Sequence, residues 1–285
     1  LEYQNIKIDI SLRTNGTLLN DTMKQWFSEH VAQLSCGPSI DGIAEVNRIN
    51  RGMNKDVKDF FFKNWPEYGA HGTLFGDSVE HLYDSVLFFN DLNYKFDIKI
   101  GLGTLWTEHH ADILEQEMDK LCHYYLDNPN LTPVSVFFKD LTFFGKPPQA
   151  NDYNCLSNHG GAVYDVDGKQ YSCEVLMPLV LGKENVAKIE QLGNLPREYA
   201  IDEICQTCPF IVGCPTCPSM NYKYTGDFKK SATLVTTCKA TKVQFKMTAY
   251  LMMLKYEHKV LAGEKVSEDL QSNIYPAMEV LNYFH

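Results

Sequence analysis

The first 130 residues alternate between two hydrophobic periods. Four short runs have the alternation of apolar and polar positions that is typical of β-strands, and they span 6–12, 31–36, 69–75 and 96–104. Between and after them, apolar residues recur at helical spacing in the segments 21–29, 56–64, 79–89 and 111–125. Strands that alternate with helices are typical of βαβ units. We therefore predict an α/β fold whose parallel strands form a sheet or barrel.

Polar turns follow the first two predicted strands. Thr14-Asn15-Gly16 comes after the first and Ser39-Ile40-Asp41-Gly42 after the second, and Asp21 is the predicted N-cap of the first helix. Ligands of such folds bind beyond the carboxyl ends of the strands. We expect a binding site there, although Asn15 suits an ordinary turn equally well.

The pattern changes after residue 145. A polar stretch that begins at Pro147-Pro148 resembles a linker, and 162–173 predicts a β-hairpin that turns at Asp167-Gly168. A cysteine-rich loop follows, and a closing helix is predicted from its apolar positions at 243, 247, 250, 251 and 254. The predicted domains are residues 1–145 and 146–285.

Composition excludes some functions. Among 285 residues, 44% are hydrophobic and 22% charged, and the net charge is −10. This balance predicts a cytoplasmic globular protein without a nucleic-acid partner, because nucleic acid requires a basic surface. No apolar run approaches the roughly 20 residues that span a bilayer. The chain opens on Leu1 and runs at once into a strand pattern, so we expect it to be a fragment.

Seven cysteines between residues 155 and 238 carry the strongest chemical signal. They are Cys155, Cys173, Cys205, Cys208, Cys214, Cys217 and Cys238, and they include two Cys-x2-Cys turns. Two thiolates in such a turn can bind one metal centre, whereas nine cysteines in all, an odd number, argue against disulfides. Structural zinc is the alternative to iron–sulfur clusters, although one zinc site needs only four of these residues.

The spacing Cys-x12-Gly-x4-Cys, a gap, Cys-x2-Cys-x5-Cys-x2-Cys, a gap and Cys resembles the SPASM domain of radical S-adenosylmethionine (SAM) enzymes. In that family the last closely spaced pair of cysteines is usually Cys-x3-Cys, whereas Cys214 and Cys217 are separated by only two residues. The two polar turns at the strand ends, together with Arg51, resemble the third and fourth strand ends of the radical SAM barrel. The resemblance implies a partial (β/α) barrel, with about four of six βα units, followed by a SPASM domain and a C-terminal helix. The type of enzyme that the resemblance implies is a peptide or protein maturase similar to anaerobic sulfatase-maturating enzymes.

The resemblance also implies two auxiliary [4Fe–4S] clusters. Cysteines 155, 173 and 217 would hold the first cluster, and cysteines 205, 208, 214 and 238 would hold the second. Only the second set supplies one thiolate to each iron. The fourth ligand of the first cluster stays open: Asp152, a water molecule or the substrate could occupy it.

By the same resemblance, Ser39 and Arg51 would bind the SAM carboxylate, while Asn15 and Leu102 would line the cofactor site. The alternatives are a strand-end cap and a solvated arginine for the first two, and core packing for Leu102. Glu174, directly after Cys173, occupies the position of an acidic residue that accepts a substrate proton in sulfatase-maturing relatives. An ordinary surface role is the alternative.

A Cys-x3-Cys-x2-Cys loop, which defines the family and holds the SAM cluster, is absent from this sequence. We therefore expect an N-terminally truncated chain that cannot start radical chemistry alone. The intact enzyme would use SAM, a third [4Fe–4S] cluster, a peptide or protein substrate and an electron donor such as flavodoxin or ferredoxin. The alternative function is a non-catalytic iron–sulfur or zinc module that binds a peptide. The type of peptide modification stays open.

Overall fold

The computed structural model of the protein describes residues 2–3, 6–7, 10–53, 57–148, 162–171, 173–190 and 201–285. The chain divides into two compact units. The first unit comprises Leu1–Gly101, Thr107–Phe138 and Tyr250–Val266. The second comprises Leu102–Trp106, Lys139–Ala249 and Ser267–His285.

The described part of the first unit contains six strands: β1 (Glu2–Tyr3), β2 (Ile6–Lys7), β3 (Ile10–Thr14), β4 (Leu34–Pro38), β5 (Ala70–Leu74) and β6 (Phe96–Ile100). β1 and β2 form an antiparallel pair. β3 pairs with β4, and β5 pairs with β6, both in parallel. A parallel bridge between Ser39 and His71 connects the two pairs. The predicted parallel pairing is thus confirmed for β3 with β4 and for β5 with β6.

The strand boundaries differ from the predicted ones. The predicted strand 6–12 was wrong as one element, because β2 pairs back on β1 and β3 starts only at residue 10. The last strand ends at Ile100 rather than 104, where the chain enters a turn that contains Gly103 at a φ of 75°. The alternation of side chains alone does not reveal where pairing stops.

The helices that follow these strands are α1 (Asp21–Glu29), α2 (Ala44–Arg51), α3 (Lys58–Asn64), α4 (Leu82–Asp91) and α5 (Glu108–Asp127). A 3-10 turn at Gly76–His81 precedes α4. The N-cap of α1 is Asn20, whose side chain accepts a hydrogen bond from the Met23 N–H at 2.9 Å. The predicted cap Asp21 was wrong by one residue: it is the first helical residue instead.

Apolar side chains from helices and strands form the core of the first unit. Ile10, Leu12, Cys36 and Ala70 from the strands pack with Phe61 of α3 and with the other members of one cluster, which include Leu19, Leu34, Ile40, Met53, Val57, Trp65, Phe89 and Tyr94. The aromatic run at residues 60–62 therefore belongs to this core. Cys36 and Cys122 are buried, which is typical of small core residues.

The second unit is mainly helical. Its helices are α6 (Pro178–Leu181), α7 (Lys183–Glu190), α8 (Pro218–Thr225), α9 (Ala232–Val235), α10 (Cys238–Leu261), which continues into the first unit, and α11 (Glu268–Tyr283). The predicted hairpin is confirmed: β7 (Val163–Tyr164) pairs with β8 (Gln170–Tyr171) in antiparallel, and Gly168 turns at a φ of 76°. The closing helix is α10; α11 was not predicted. Within the described ranges, no helix is long and apolar enough to cross a bilayer.

Candidate functional site

The four parallel strands present a polar face opposite their apolar core face. Side chains alternate along a strand, so the residues between the core positions point to the other side. In β3 to β6 these residues are Ser11, Arg13, Ser35, Gly37, His71, Thr73, Asp97 and Lys99. The register places Ser39 beside His71 and His71 beside Asp97. Parallel strands covered on both faces are usually apolar on both, so this face is suited to binding a polar ligand.

His71 and Asp97 form a close pair on that face. The Nδ1 atom of His71 lies 3.5 Å from Oδ2 of Asp97, at the outer limit of a hydrogen bond, and Lys99 Nζ lies 3.3 Å from the same oxygen. Burial and the positive charge of Arg13 lower the pKa of His71. Burial acts to raise the pKa of Asp97, but hydrogen bonds from Ser135 and Lys99 lower it overall. The pair is therefore a neutral imidazole beside a carboxylate at neutral pH.

The predicted cofactor residues of the first unit lie at the carboxyl ends of β3 and β4. Ser39 is half-buried, and its N–H donates to the Thr14 carbonyl at 2.8 Å. Asn15 is exposed, and its side-chain oxygen accepts from both the N–H and the hydroxyl of Thr17 at 3.2 and 3.0 Å. The turn role of Asn15 is thus confirmed, and its cofactor role stays a prediction.

Arg51 is held by a buried carboxylate. Its Nη2 and Nε atoms donate to Oδ1 and Oδ2 of Asp41 at 2.6 and 2.8 Å, and the two side chains are 26% and 0% exposed. The solvated alternative was wrong, because the guanidinium and the carboxylate make a bidentate pair.

Asp41 has a central role that was not predicted from the sequence. Its carboxylate also accepts from the backbone N–H of Thr73 at 2.8 Å and from Asn50 at 3.2 Å, so it connects β4, β5 and α2. Glycine is required at the next position, Gly42, because a Cβ atom there would overlap the Ser85 hydroxyl. The available signal was an acidic residue at a strand end with an arginine ten residues later.

Leu102 lies in the second unit, after the end of β6. Its side chain is 49% exposed. The alternative that it packs in the core was therefore wrong. An adenine-packing role stays a prediction.

Four cysteines line a single cavity in the second unit. This cavity has a volume of about 340 Å³, and its lining includes Cys205, Cys208, Cys214 and Cys238. Cys205 ends a 3-10 turn and Cys238 begins α10, so a turn and a helix both contribute to the lining. The four are those that the resemblance assigned to the second cluster, and Cys217 is not among the lining residues.

Burial favours the protonated form of two of these thiols, those of Cys205 and Cys214. It raises the pKa of Cys205 to about 11, with further contributions from Asp202, Cys208 and Cys238. It likewise raises the pKa of Cys214 to about 12, with contributions from Cys238 and Cys205. Neighbouring thiolates repel one another in a low-dielectric cavity, so a bound cationic metal centre would remove the main cost of deprotonating them.

Nearby polar groups act in the opposite direction. Hydrogen bonds from Ser231 to Cys205 and from Thr216 to Cys214 lower the pKa of each thiol, and so does the charge of Lys139 for Cys214. Hydrogen-bond donors to the ligand sulfurs are among the groups that set the reduction potential of thiolate-bound clusters.

Four thiols are the number that either one tetrahedral zinc ion or one [4Fe–4S] cluster binds. Within the described ranges, no three His, Cys, Asp or Glu side chains are grouped to hold one metal ion. Tetrahedral zinc requires sulfurs about 3.8 Å apart, given Zn–S bonds of about 2.3 Å. A [4Fe–4S] cluster takes one thiolate per iron, so its four sulfurs stand further apart around a larger volume. The eight described cysteines are thiols rather than disulfides.

The remaining predicted ligands are separate from this cavity. Cys155 lies outside the described residues. Cys173 precedes a 3-10 turn, accepts the Val175 N–H at 3.4 Å and packs beside the cluster around Leu176. Cys217 is the N-cap residue of α8. Glu174 is exposed in the turn after Cys173, as the surface alternative expected, and its catalytic role stays a prediction.

Comparison with known proteins identifies the class of fold. No family model matches the chain. Two solved structures of anSMEcpe with bound AdoMet, one with a histidine tag and one native, share the fold with TM-scores of 0.57 and 0.58. Their sequence identities are 17% and 19%, and the matches cover 93% and 90% of this chain and 74% and 77% of those chains. The chain therefore shares the fold of anSMEcpe.

Two curated proteins are similar to this chain in sequence. A cysteine-type anaerobic sulfatase-maturating enzyme of Clostridium perfringens strain 13 is 24% identical over 244 residues, which are 74% of this chain. The same type of enzyme from strain ATCC 13124 is 28% identical over 103 residues, which are 33% of this chain. The chain is thus similar to anaerobic sulfatase-maturating enzymes, and the predicted resemblance is confirmed. The matches span 65% and 27% of the relatives' own lengths.

Proposed function

We propose that the chain is part of a radical SAM maturase that modifies a peptide or protein substrate. The observation that carries the proposal is the cavity walled by Cys205, Cys208, Cys214 and Cys238. Its volume and its four thiols fit an auxiliary [4Fe–4S] cluster with complete cysteine ligation. The relatives, which are sulfatase-maturating enzymes, support the maturase class.

The other proposed cluster uses Cys155, Cys173 and Cys217. Two of these three are described: Cys173 follows the hairpin and Cys217 precedes α8, and neither lines the cavity of the four cysteines. This supports assigning the cysteines to two clusters rather than to one. The fourth ligand stays open between Asp152, water and substrate.

The polar strand face is the proposed SAM and substrate side. SAM bound with its own cluster would supply the radical that removes hydrogen from the substrate. Ser39 would hold the SAM carboxylate together with Arg51, through the guanidinium nitrogen that Asp41 does not engage. Asn15 and Leu102 are exposed and would contact the cofactor, and Glu174 would accept the substrate proton.

The finer architecture belongs to the same proposal. The four parallel strands β3 to β6 would form about four βα units of a six-stranded barrel within residues 1–145, and residues 146–285 would form the SPASM domain. A flavodoxin or ferredoxin would donate electrons in the cytoplasm.

Metal analysis tests the proposal. Anaerobic reconstitution with iron and sulfide is expected to give about eight irons, equal sulfide and broad absorbance near 400 nm, since two [4Fe–4S] clusters contain that many. Replacing Cys214 by alanine is expected to remove about four irons. Replacing the buried Cys122, which belongs to the core, should leave the iron content unchanged. Zinc without sulfide would instead indicate the zinc-binding module.

A further inference from the structure

Lys139 lies beside the loop that carries Cys214. Its Nζ atom is 5.4 Å from the ring centroid of Phe245, which is 1% exposed on α10. The same ring packs so closely against Gly213 that a Cβ atom at that position would overlap it. Phe245 thus contacts both Lys139 and Gly213, the residue directly before Cys214.

The charge of Lys139 has no carboxylate to balance it in the described parts of the chain, where this lysine forms no ion pair. Burial lowers the pKa of Lys139, and Cys214 opposes that shift. A half-buried cation is costly unless an anion or a ring compensates it. With the proposed cluster bound, Cys214, which follows Gly213, would offer that anion as a metal-bound thiolate.

A [4Fe–4S] cluster with four thiolates carries a net negative charge, and reduction adds another. A cation close to one ligand stabilises the reduced form more than the oxidised form. The Phe245 ring places the ammonium group of Lys139 near this ligand, because the same ring packs on Gly213, the residue before Cys214.

We propose that Lys139 is a positioning residue that raises the reduction potential of the cluster at Cys205, Cys208, Cys214 and Cys238 and makes it a better electron acceptor. The inference rests on the proposed function, because it requires that cluster.

Potentiometric titration with dithionite, followed by electron paramagnetic resonance, tests the inference. The variants are Lys139→Met, Lys139→Gln and Lys139→Arg in a Cys173→Ala background, which leaves only the four-cysteine cluster. Lys246→Met is the matched control, because Lys246 also lies over an aromatic ring, that of Phe284, at 5.8 Å. Iron and sulfide are measured first in every protein.

The neutral variants are expected to lower the equilibrium constant for reduction about tenfold, which is about 59 mV for one electron. The arginine variant and the control should stay near the unsubstituted potential. Loss of iron in both neutral variants but not in the arginine variant would also support the charge pairing. Full iron with an unchanged potential in the neutral variants, or iron loss that includes the arginine variant, would overturn it. An unsubstituted protein without iron overturns the proposed function itself, and the two failures are therefore distinguishable.

Discussion

The buried carboxylate of Asp41 can be tested by one substitution. Asp41→Ala removes both ion-pair contacts to Arg51 and leaves the Thr73 N–H without its acceptor. Removing one member of a buried pair costs about 3–5 kcal/mol, and an unsatisfied buried N–H costs about 1–3 kcal/mol on its own. The two losses share one side chain and are not additive, so we expect the free energy of unfolding to fall by about 4 kcal/mol.

Urea unfolding followed by circular dichroism measures this loss. With a slope of about 2 kcal/mol/M, the midpoint of the transition should fall by about 2 M. Asp41→Asn keeps an acceptor for Thr73 but loses the charge, so its midpoint should lie between those of Asp41→Ala and the unsubstituted protein. Glu45→Ala is the matched control: it also removes the carboxylate partner of an α2 arginine, Arg48, but the two side chains are 46% and 58% exposed. It should change the midpoint little. Equal losses in Asp41→Ala and Glu45→Ala would refute the reasoning.

Two further predictions concern the same unit. Gly42→Ala should lower the free energy of unfolding by about 1–3 kcal/mol, because the new Cβ meets the Ser85 hydroxyl. Adding Ser85→Gly should recover part of that loss in urea titrations. No recovery would contradict the steric cause. Burial raises the pKa of the Cys36 thiol from 9.0 to about 11. The thiol therefore stabilises the fold fully below about pH 9, and this contribution is lost as the pH rises through about 11. Between about pH 8 and 11 the unsubstituted protein should lose about 2 kcal/mol more than Cys36→Ala, and parallel pH curves would contradict the assignment.

The sequence predicted the elements of the first unit better than their ends. Apolar positions at period two located β3 to β6, and helical spacing located α1 and α5, because both patterns follow from burial of one face. It did not predict that β2 turns back on β1, since the chain there alternates without interruption. Pairing partners depend on tertiary contacts that a single sequence does not encode in its local period.

The candidate site was predicted through the cysteines rather than through the strand ends. The resemblance to the SPASM domain, which rests on two Cys-x2-Cys turns followed by a distant fifth cysteine, grouped the four residues that line one cavity. Arg51 was assigned to a ligand, yet the structure gives it Asp41 as a partner. Their pairing was not predictable from sequence, since an acidic residue and an arginine ten positions apart also suit a solvent-exposed helix end.

The two Cys-x2-Cys turns are chemically unequal. Both thiols of Cys205-x2-Cys208 border the cavity, whereas Cys214 borders it and Cys217 begins a helix. A reagent that bridges neighbouring thiols, such as a trivalent arsenical, should therefore crosslink the earlier turn and leave the later one unbridged. The later turn therefore joins two environments, the cavity at Cys214 and the start of α8 at Cys217.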